Sequence, residues 1–207
     1  MSTVVPLTQK GQMTRARILT AARRVFSRAG YVTLRMGDVA DEAGTSMGAL
    51  YRYFSSKDDM FLALIGDIHN DLFNASRSRG LSFKNDPFGA LLAANEGYLE
   101  LYRDNRDVMR AFIEATTVNT TYRDMWWWMR QRHIERFIAM LERDFKLTEV
   151  DGVSTRVITE SLASMTEQSA YVWYAQEQLM SHSVPVNIAA RVVSKAWHSA
   201  FFASGAV

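Results

Sequence analysis

Apolar residues return at intervals of three and four along most of the chain, and each run predicts a helix with one buried face. Ile18, Ala21, Ala22, Val25 and Phe26 form the first stripe, on a helix from about Thr14 to Ala29 that Thr14 can cap and Gly30 stops. Met1 to Gln12 reads as a flexible arm, with Lys10 available for a phosphate. Met36, Val39, Ala40 and Ala43 set a second, short helix from about Arg35 to Ala43. Gly44 can take the left-handed conformation that ends it, and Thr45 or Ser46 can cap a third, on which Leu50 and Phe54 share one face. Ser55 or Ser56 then caps a longer helix, with Asp58 and Asp59 in its first turn, where the dipole favours them. Its stripe of Phe61, Leu64, Ile65, Ile68 and Leu72 lasts to about Arg77.

After a loop at 78–87, Asp86 and Pro87 open a helix carrying Phe88, Leu91, Leu92, Tyr98, Leu99 and Tyr102, interrupted at Asn105 and Arg106. A short segment from Val108 to Ala115, with Met109, Phe112 and Ile113 apolar, and a polar turn lead into a long helix, Tyr122 to Phe145, containing Trp126-Trp127-Trp128. At about 100° per residue no single face holds three successive tryptophans. Trp126 and Trp127 suit a core and a ligand pocket equally, and Trp128 points nearly the opposite way. His133 shares the apolar face, where a hydrogen-bonded core histidine is the commoner outcome. Two final helices, about Asp151 to Met180 and Val186 to Ala203, are separated by 181–185. The first has an apolar stripe (Ile158, Leu162, Met165, Val172, Leu179) and a second band of small or polar residues around Val157, Ser161, Ser164, Gln168 and Tyr171.

Composition narrows the function classes. The 207 residues are 48% hydrophobic, with no cysteine and no apolar run near the ~18 residues of a membrane span. Neither disulfides nor a thiolate metal site are expected, and with no secretory pattern at the N-terminus the expected location is cytoplasmic, with no membrane partner. No Gly-rich phosphate loop or His-Glu-x-x-His spacing occurs and the four histidines are scattered, so no catalytic residue, cofactor or metal ligand is expected. The net charge of +2 conceals an asymmetry. Residues 1–60 hold nine Lys/Arg against five Asp/Glu, and the remainder fifteen against seventeen, giving +4 and −2. A half that meets a polyanion should look like the first.

A helix, a glycine turn and a capped second helix make a helix-turn-helix. The pattern Gly30-Tyr31, Val39-Ala40, Ala43-Gly44, Ser46-Met47-Gly48-Ala49-Leu50-Tyr51-Arg52-Tyr53-Phe54 and Lys57-Asp58 resembles the DNA-binding domain of TetR-type transcriptional regulators over about residues 12 to 60. Family members usually open the helix before the turn with hydroxyl residues, where this chain has Leu34 and Arg35. Thr33 is left as a cap, or Arg35 as a substitute phosphate contact. The matching family positions make Tyr51, Tyr53 and Lys57 phosphate clamps, whereas Thr45, Ser46, Met47, Ala49 and Arg52 are placed to read bases and Gly48 and Ala49 admit a close backbone.

The resemblance implies an all-α protein: a three-helix DNA-binding domain at 1–60 and a helical effector-binding and dimerisation domain at 61–207. It implies a homodimeric repressor on a palindromic double-stranded operator, with the last two helices as the dimer interface and the helix from Ser55 to Arg77 transmitting ligand binding. A dimer is wanted independently, because one recognition helix touches too few base pairs for useful specificity. Many aromatic and Met side chains favour a small hydrophobic effector. The pocket candidates are Asn95, Tyr98, Phe112, Trp126, Trp127, Met129 and His133. Two rival readings are a helix-turn-helix protein controlled by a protein partner and, further off, an all-helical enzyme or small-molecule-binding protein.

Overall fold

A computed structural model describes residues 8–176 and 182–202. The chain divides into two compact units between Ile68 and His69. The fold is all-α apart from one minimal hairpin, and no helix among the described residues is long and apolar enough to cross a membrane.

The N-terminal unit comprises α1 (Gln9–Thr33), α2 (Met36–Glu42), α3 (Met47–Tyr51) and the first part of α4 (Lys57–Ala75). Ile18, Ala22, Val25 and Phe26 of α1 are buried with Val39, Leu50, Phe54, Met60 and Phe61. The rings of Phe26 and Phe61 stack at 4.6 Å. α1 starts earlier than its apolar stripe suggests. Thr8 caps it by accepting from the Gly11 amide at 3.2 Å, so residues 9–12 are helical and not part of an arm. Thr14, the expected cap, instead donates to the Lys10 carbonyl at 2.9 Å. Gly30 (φ +71°, ψ 175°) breaks the helix as expected, and a last turn follows it. Thr33 is not the cap of α2: its hydroxyl donates back to the Ala29 carbonyl, and Arg35 occupies the cap position without a side-chain bond.

Gly37 sits inside α2, where glycine costs about 1 kcal/mol relative to alanine. A Cβ there would meet no atom within 4 Å, so nothing in the unit's packing demands glycine. Gly37→Ala is expected to raise stability by about 0.5–1 kcal/mol in denaturant unfolding; an unchanged or lower midpoint would contradict this.

The C-terminal unit holds the rest of α4, α5 (Pro87–Asp104), α6 (Arg106–Thr116), α7 (Thr120–Phe145), strands β1 (Glu149–Val150) and β2 (Val153–Ser154), α8 (Thr155–Ala170), a π-helical turn (Tyr171–Ala175) and α9 (Val186–Phe201). Asp86 caps α5 by accepting from the Gly89 amide at 2.8 Å, with Pro87 at the first position, as expected. The predicted helix 151–180 is shortened at its start. Asp151 (φ +50°) and Gly152 (φ +77°) make a two-residue turn between β1 and β2, and α8 begins only after it, capped by Ser154. The C-terminal end of that prediction, including Leu179, lies outside the described residues. α5 lies along α9, and Leu91, Met140, Leu141, Val193, Trp197 and Phe201 form the core beside them. Gly97 lets α5 pass against the last turn of α4: a Cβ there would fall 2.3 Å from the Ala75 carbonyl oxygen.

Candidate nucleic-acid face and internal cavity

The turn between α2 and α3 is built as its residues dictate. Gly44 is left-handed at φ +60°, and Ser46 caps α3 by accepting from the Ala49 amide at 3.2 Å. Leu50 and Phe54 are buried, which fixes the roll of α3. Ser46, Met47, Gly48, Tyr51 and Arg52 are thereby exposed, while Thr45, Ala49 and Tyr53 are half-buried. Arg35, at the start of α2, is exposed as well. Neither Arg35 nor Arg52 has an acidic partner within 4 Å among the described residues. Arg24 and Arg28, by contrast, both pair with Glu42, and the Arg28 hydrogen bond holds that carboxyl below its usual range.

Lys57 is more engaged than its sequence position suggests. Its ammonium donates to the Tyr31 carbonyl at 3.1 Å and the Val32 carbonyl at 3.5 Å, and lies 4.6 Å from the Tyr31 ring centroid. The Tyr31 hydroxyl donates to Asp58. Lys57 thus ties the end of α1 to the start of α4. Ser56 and Asp59 close the N-terminus of α4: Ser56 Oγ accepts from the Asp59 amide at 3.0 Å, and Asp59 Oδ2 accepts from the Ser55 amide at 2.8 Å.

A cavity of about 820 Å³ opens in the C-terminal unit, between the end of α4, the 76–83 segment, α5, α7, α8 and α9. It is of the size that takes a drug-sized ligand. Its floor is buried and largely apolar (Leu91, Ile134, Met140, Trp197), and Phe73, Phe83 and Phe137 line its sides. The exposed residues Arg77, Leu81, Ser82 and Arg143 mark the mouth.

Of the seven pocket candidates, Asn95, Tyr98 and His133 line this cavity. Asn95 donates to Ser194 Oγ at 3.0 Å, while the Tyr98 ring lies 5.9 Å from His133. Phe112, Trp126, Trp127 and Met129 lie outside it. Trp126 and Met129 lie up to about two turns N-terminal of His133 on α7, where α6 closes on α7 and Phe112 meets Tyr122. Trp126 lies beneath Arg130 at 5.7 Å. Trp127 and Trp128 are surface residues, 53% and 54% exposed; Trp128 contacts His69 and Arg132.

The polar lining was not apparent in the sequence. Arg136 donates to the Phe73 carbonyl (2.5 Å), the Ser76 carbonyl (2.9 Å) and Ser76 Oγ (2.7 Å), so it closes the C-terminal end of α4. Burial pushes its pKa down to about 10, with Arg77 and Arg132 adding to the effect. His133 Nδ1 shares Ser76 Oγ at 3.3 Å; burial first, and Arg136 next, lower its pKa to about 3. Glu167 faces the cavity with its carboxylate on Arg130, and burial raises its pKa to about 7. Trp197 Nε1 donates to Thr166 Oγ1 at 3.0 Å. The partners of Arg136 and Glu167 are 37 to 63 residues away in sequence, so only folding brings them together.

A family model of bacterial regulatory proteins, tetR family, matches residues 18–64. The HTH-type transcriptional regulator TtgR of Pseudomonas putida is 31% identical over 83 residues, 40% of this chain and 40% of its own. The match therefore spans well under two thirds of that relative's length. The regulator EthR of Mycolicibacterium smegmatis is 25% identical over 165 residues, covering 79% of this chain and 76% of its own. Among solved structures, a TetR-like transcriptional regulator from Rhodococcus sp. RHA1 is 24% identical with a TM-score of 0.63, covering 94% of this chain and 98% of its own. A second Rhodococcus regulator reaches a TM-score of 0.72 at 19% identity, over 90% of this chain and 95% of its own. These structural likenesses establish a shared fold.

Proposed function

We propose, from the premise that this chain belongs to the TetR family of bacterial regulatory proteins, that it is a homodimeric repressor which binds a palindromic operator and leaves it when a small amphipathic molecule fills the C-terminal cavity. The observation that carries the reading is the exposed face of α3. A capped helix held by Leu50 and Phe54 presents Ser46, Met47, Tyr51 and an unpaired Arg52 outward, as major-groove reading requires.

Arg52 and the first turn of α3 are the proposed base readers, with Arg35, Tyr51 and Tyr53 fixing register on phosphates. Lys57 contributes charge to the phosphate backbone while holding the end of α1. Support for a two-fold pair comes from α8 and α9: Val157, Ser161, Ser164 and Gln168 all face outward on the first, and Ile188 and Val192 are about half exposed on the second. Small and apolar residues on exposed neighbouring helices suit a self-complementary helical interface. α4 supplies the connection, since it starts at Lys57 on the DNA-facing unit and ends at Ala75, next to the cavity residue Ser76. The cavity favours small-molecule control over control by a protein partner.

The reading is tested by binding a panel of single-base operator variants. Arg52→Ala is expected to cost about 1–3 kcal/mol at one base position and to relax preference there. Lys57→Ala is expected to weaken all sequences alike and to lower the salt slope by about one. A uniform loss for Arg52→Ala, with base preference unchanged, would remove it from the reading surface.

A further inference from the structure

The charges around the cavity do not cancel, and the balance is positive. Arg143 forms a two-point pair with Asp144, through Nε to Oδ1 at 2.9 Å and NH2 to Oδ2 at 2.7 Å. Glu167 is matched by Arg130. That accounts for both acids on the lining. Arg77 and Arg136 are left, and neither has an acidic partner within 4 Å among the described residues. Three of the five N–H donors of Arg136 are occupied by Phe73 and Ser76, both NH2 hydrogens among them, so Nε–H and one NH1 hydrogen remain as two separate single donors. His133, beside it, is held neutral.

The two ends of the cavity differ in kind. Arg77 is exposed at the mouth, with Ser78, Gly80, Leu81 and Ser82 beyond it. The floor is Leu91, Met140 and Trp197, flanked by Phe137. A ligand satisfying both would carry its charge at the mouth and its apolar body inward. Resting on the reading of this cavity as the effector site, the geometry points to an amphiphile with one terminal carboxylate, its head on Arg136 and Arg77 and its alkyl body on Phe137, Met140, Leu91 and Trp197. A carboxylate matches the fork of Arg77 and can accept a single charge-assisted bond from Arg136, and water exclusion by the apolar walls strengthens the pair. A cationic head would meet two uncompensated arginines.

The test is calorimetric titration of the full chain with n-alkyl carboxylates of six to sixteen carbons, and with alcohols and trimethylammonium salts of matching length. The best carboxylate should bind at least about tenfold more tightly than its alcohol, with an advantage that shrinks as salt is raised. Arg77→Gln, an exposed substitution with no ion pair to disturb, should remove most of that advantage and leave the alcohol's affinity unchanged. Equal binding of carboxylate and alcohol, tighter binding of the cation, or an Arg77→Gln variant that weakens both alike would overturn the head-group assignment while leaving a ligand-binding cavity. Failure of every probe to bind a protein that still recognises its operator would overturn both the assignment and ligand control through this cavity.

Discussion

Gly97→Ala is expected to destabilise the C-terminal unit by about 2–4 kcal/mol, although an alanine in mid-helix normally gains about 1 kcal/mol. The sign is decided by the neighbour. The new methyl would lie 2.3 Å from the Ala75 carbonyl oxygen and 3.1 Å from its carbon, and both are backbone atoms at the end of α4 that no rotamer change can move. α5 would have to withdraw from the end of α4 at the point where Arg136 closes the Phe73 and Ser76 carbonyls. Denaturant unfolding gives the cost, and Gly37→Ala, in open space, is the matched control with the opposite sign. Equal behaviour of the two variants would mean that the approach of α4 to α5 is looser than the geometry indicates.

Acidification from pH 6.5 to 4 is expected to lower stability by about 2–3 kcal/mol through two histidines in that same region. Burial pushes His69 down to about 4 and His133 down to about 3, with Arg132 and Arg136 lowering both further and each ring 5.3 Å from the other. His133 stays neutral in the folded state across the window and His69 until pH nears 4, while their unfolded counterparts protonate below about 6.5, so the unfolded state gains protons and stability falls with pH. Glu167 works in the opposite direction. Its folded pKa of about 7 lies above the unfolded value of 4.5, so its contribution is full below 4.5 and is lost as pH rises to 7. The profile is their difference. His69, only 3% exposed and with its Nε2 unpartnered among the described residues, can be replaced by phenylalanine without losing a hydrogen bond there. His69→Phe should flatten the acid limb and Glu167→Gln should steepen it. Unfolding midpoints from pH 4 to 8 decide the matter; a wild-type profile that is level between 4 and 6.5 would contradict the placement of both rings.

Helical phase was readable because burial repeats every three to four residues, and the stripes Ile18 to Phe26 and Phe61 to Leu72 face inward as their spacing requires. Ends were readable only where the capping residue adjoins the stripe, as with Ser46, Ser56 and Asp86. α1 begins five residues before Thr14, because its first turn is polar and its cap, Thr8, stands apart from the stripe. At Asp151-Gly152 a local turn signal competed with a helical pattern and prevailed. The cavity shows the same limit. Periodicity gives the angle of a residue about α7, and His133 lines the cavity on that face. It does not give the height at which neighbouring helices part, and Trp126 and Met129 lie N-terminal of the stretch of α7 that lines the cavity. The charged lining required contacts between distant segments, which no periodicity reports.

Selecting bound duplexes from a random pool with the purified, ligand-free chain, and titrating the recovered site at several salt concentrations, shows whether α3 serves a two-fold reader of DNA. The expected result is a palindromic site whose half-sites lie about one helical turn, or a multiple of it, apart. Affinity should fall steeply with salt, and Arg52→Ala should change the preferred base at symmetric positions in both halves. Recovery of no enriched sequence by the folded protein, or of a single asymmetric site indifferent to Arg52, would contradict it.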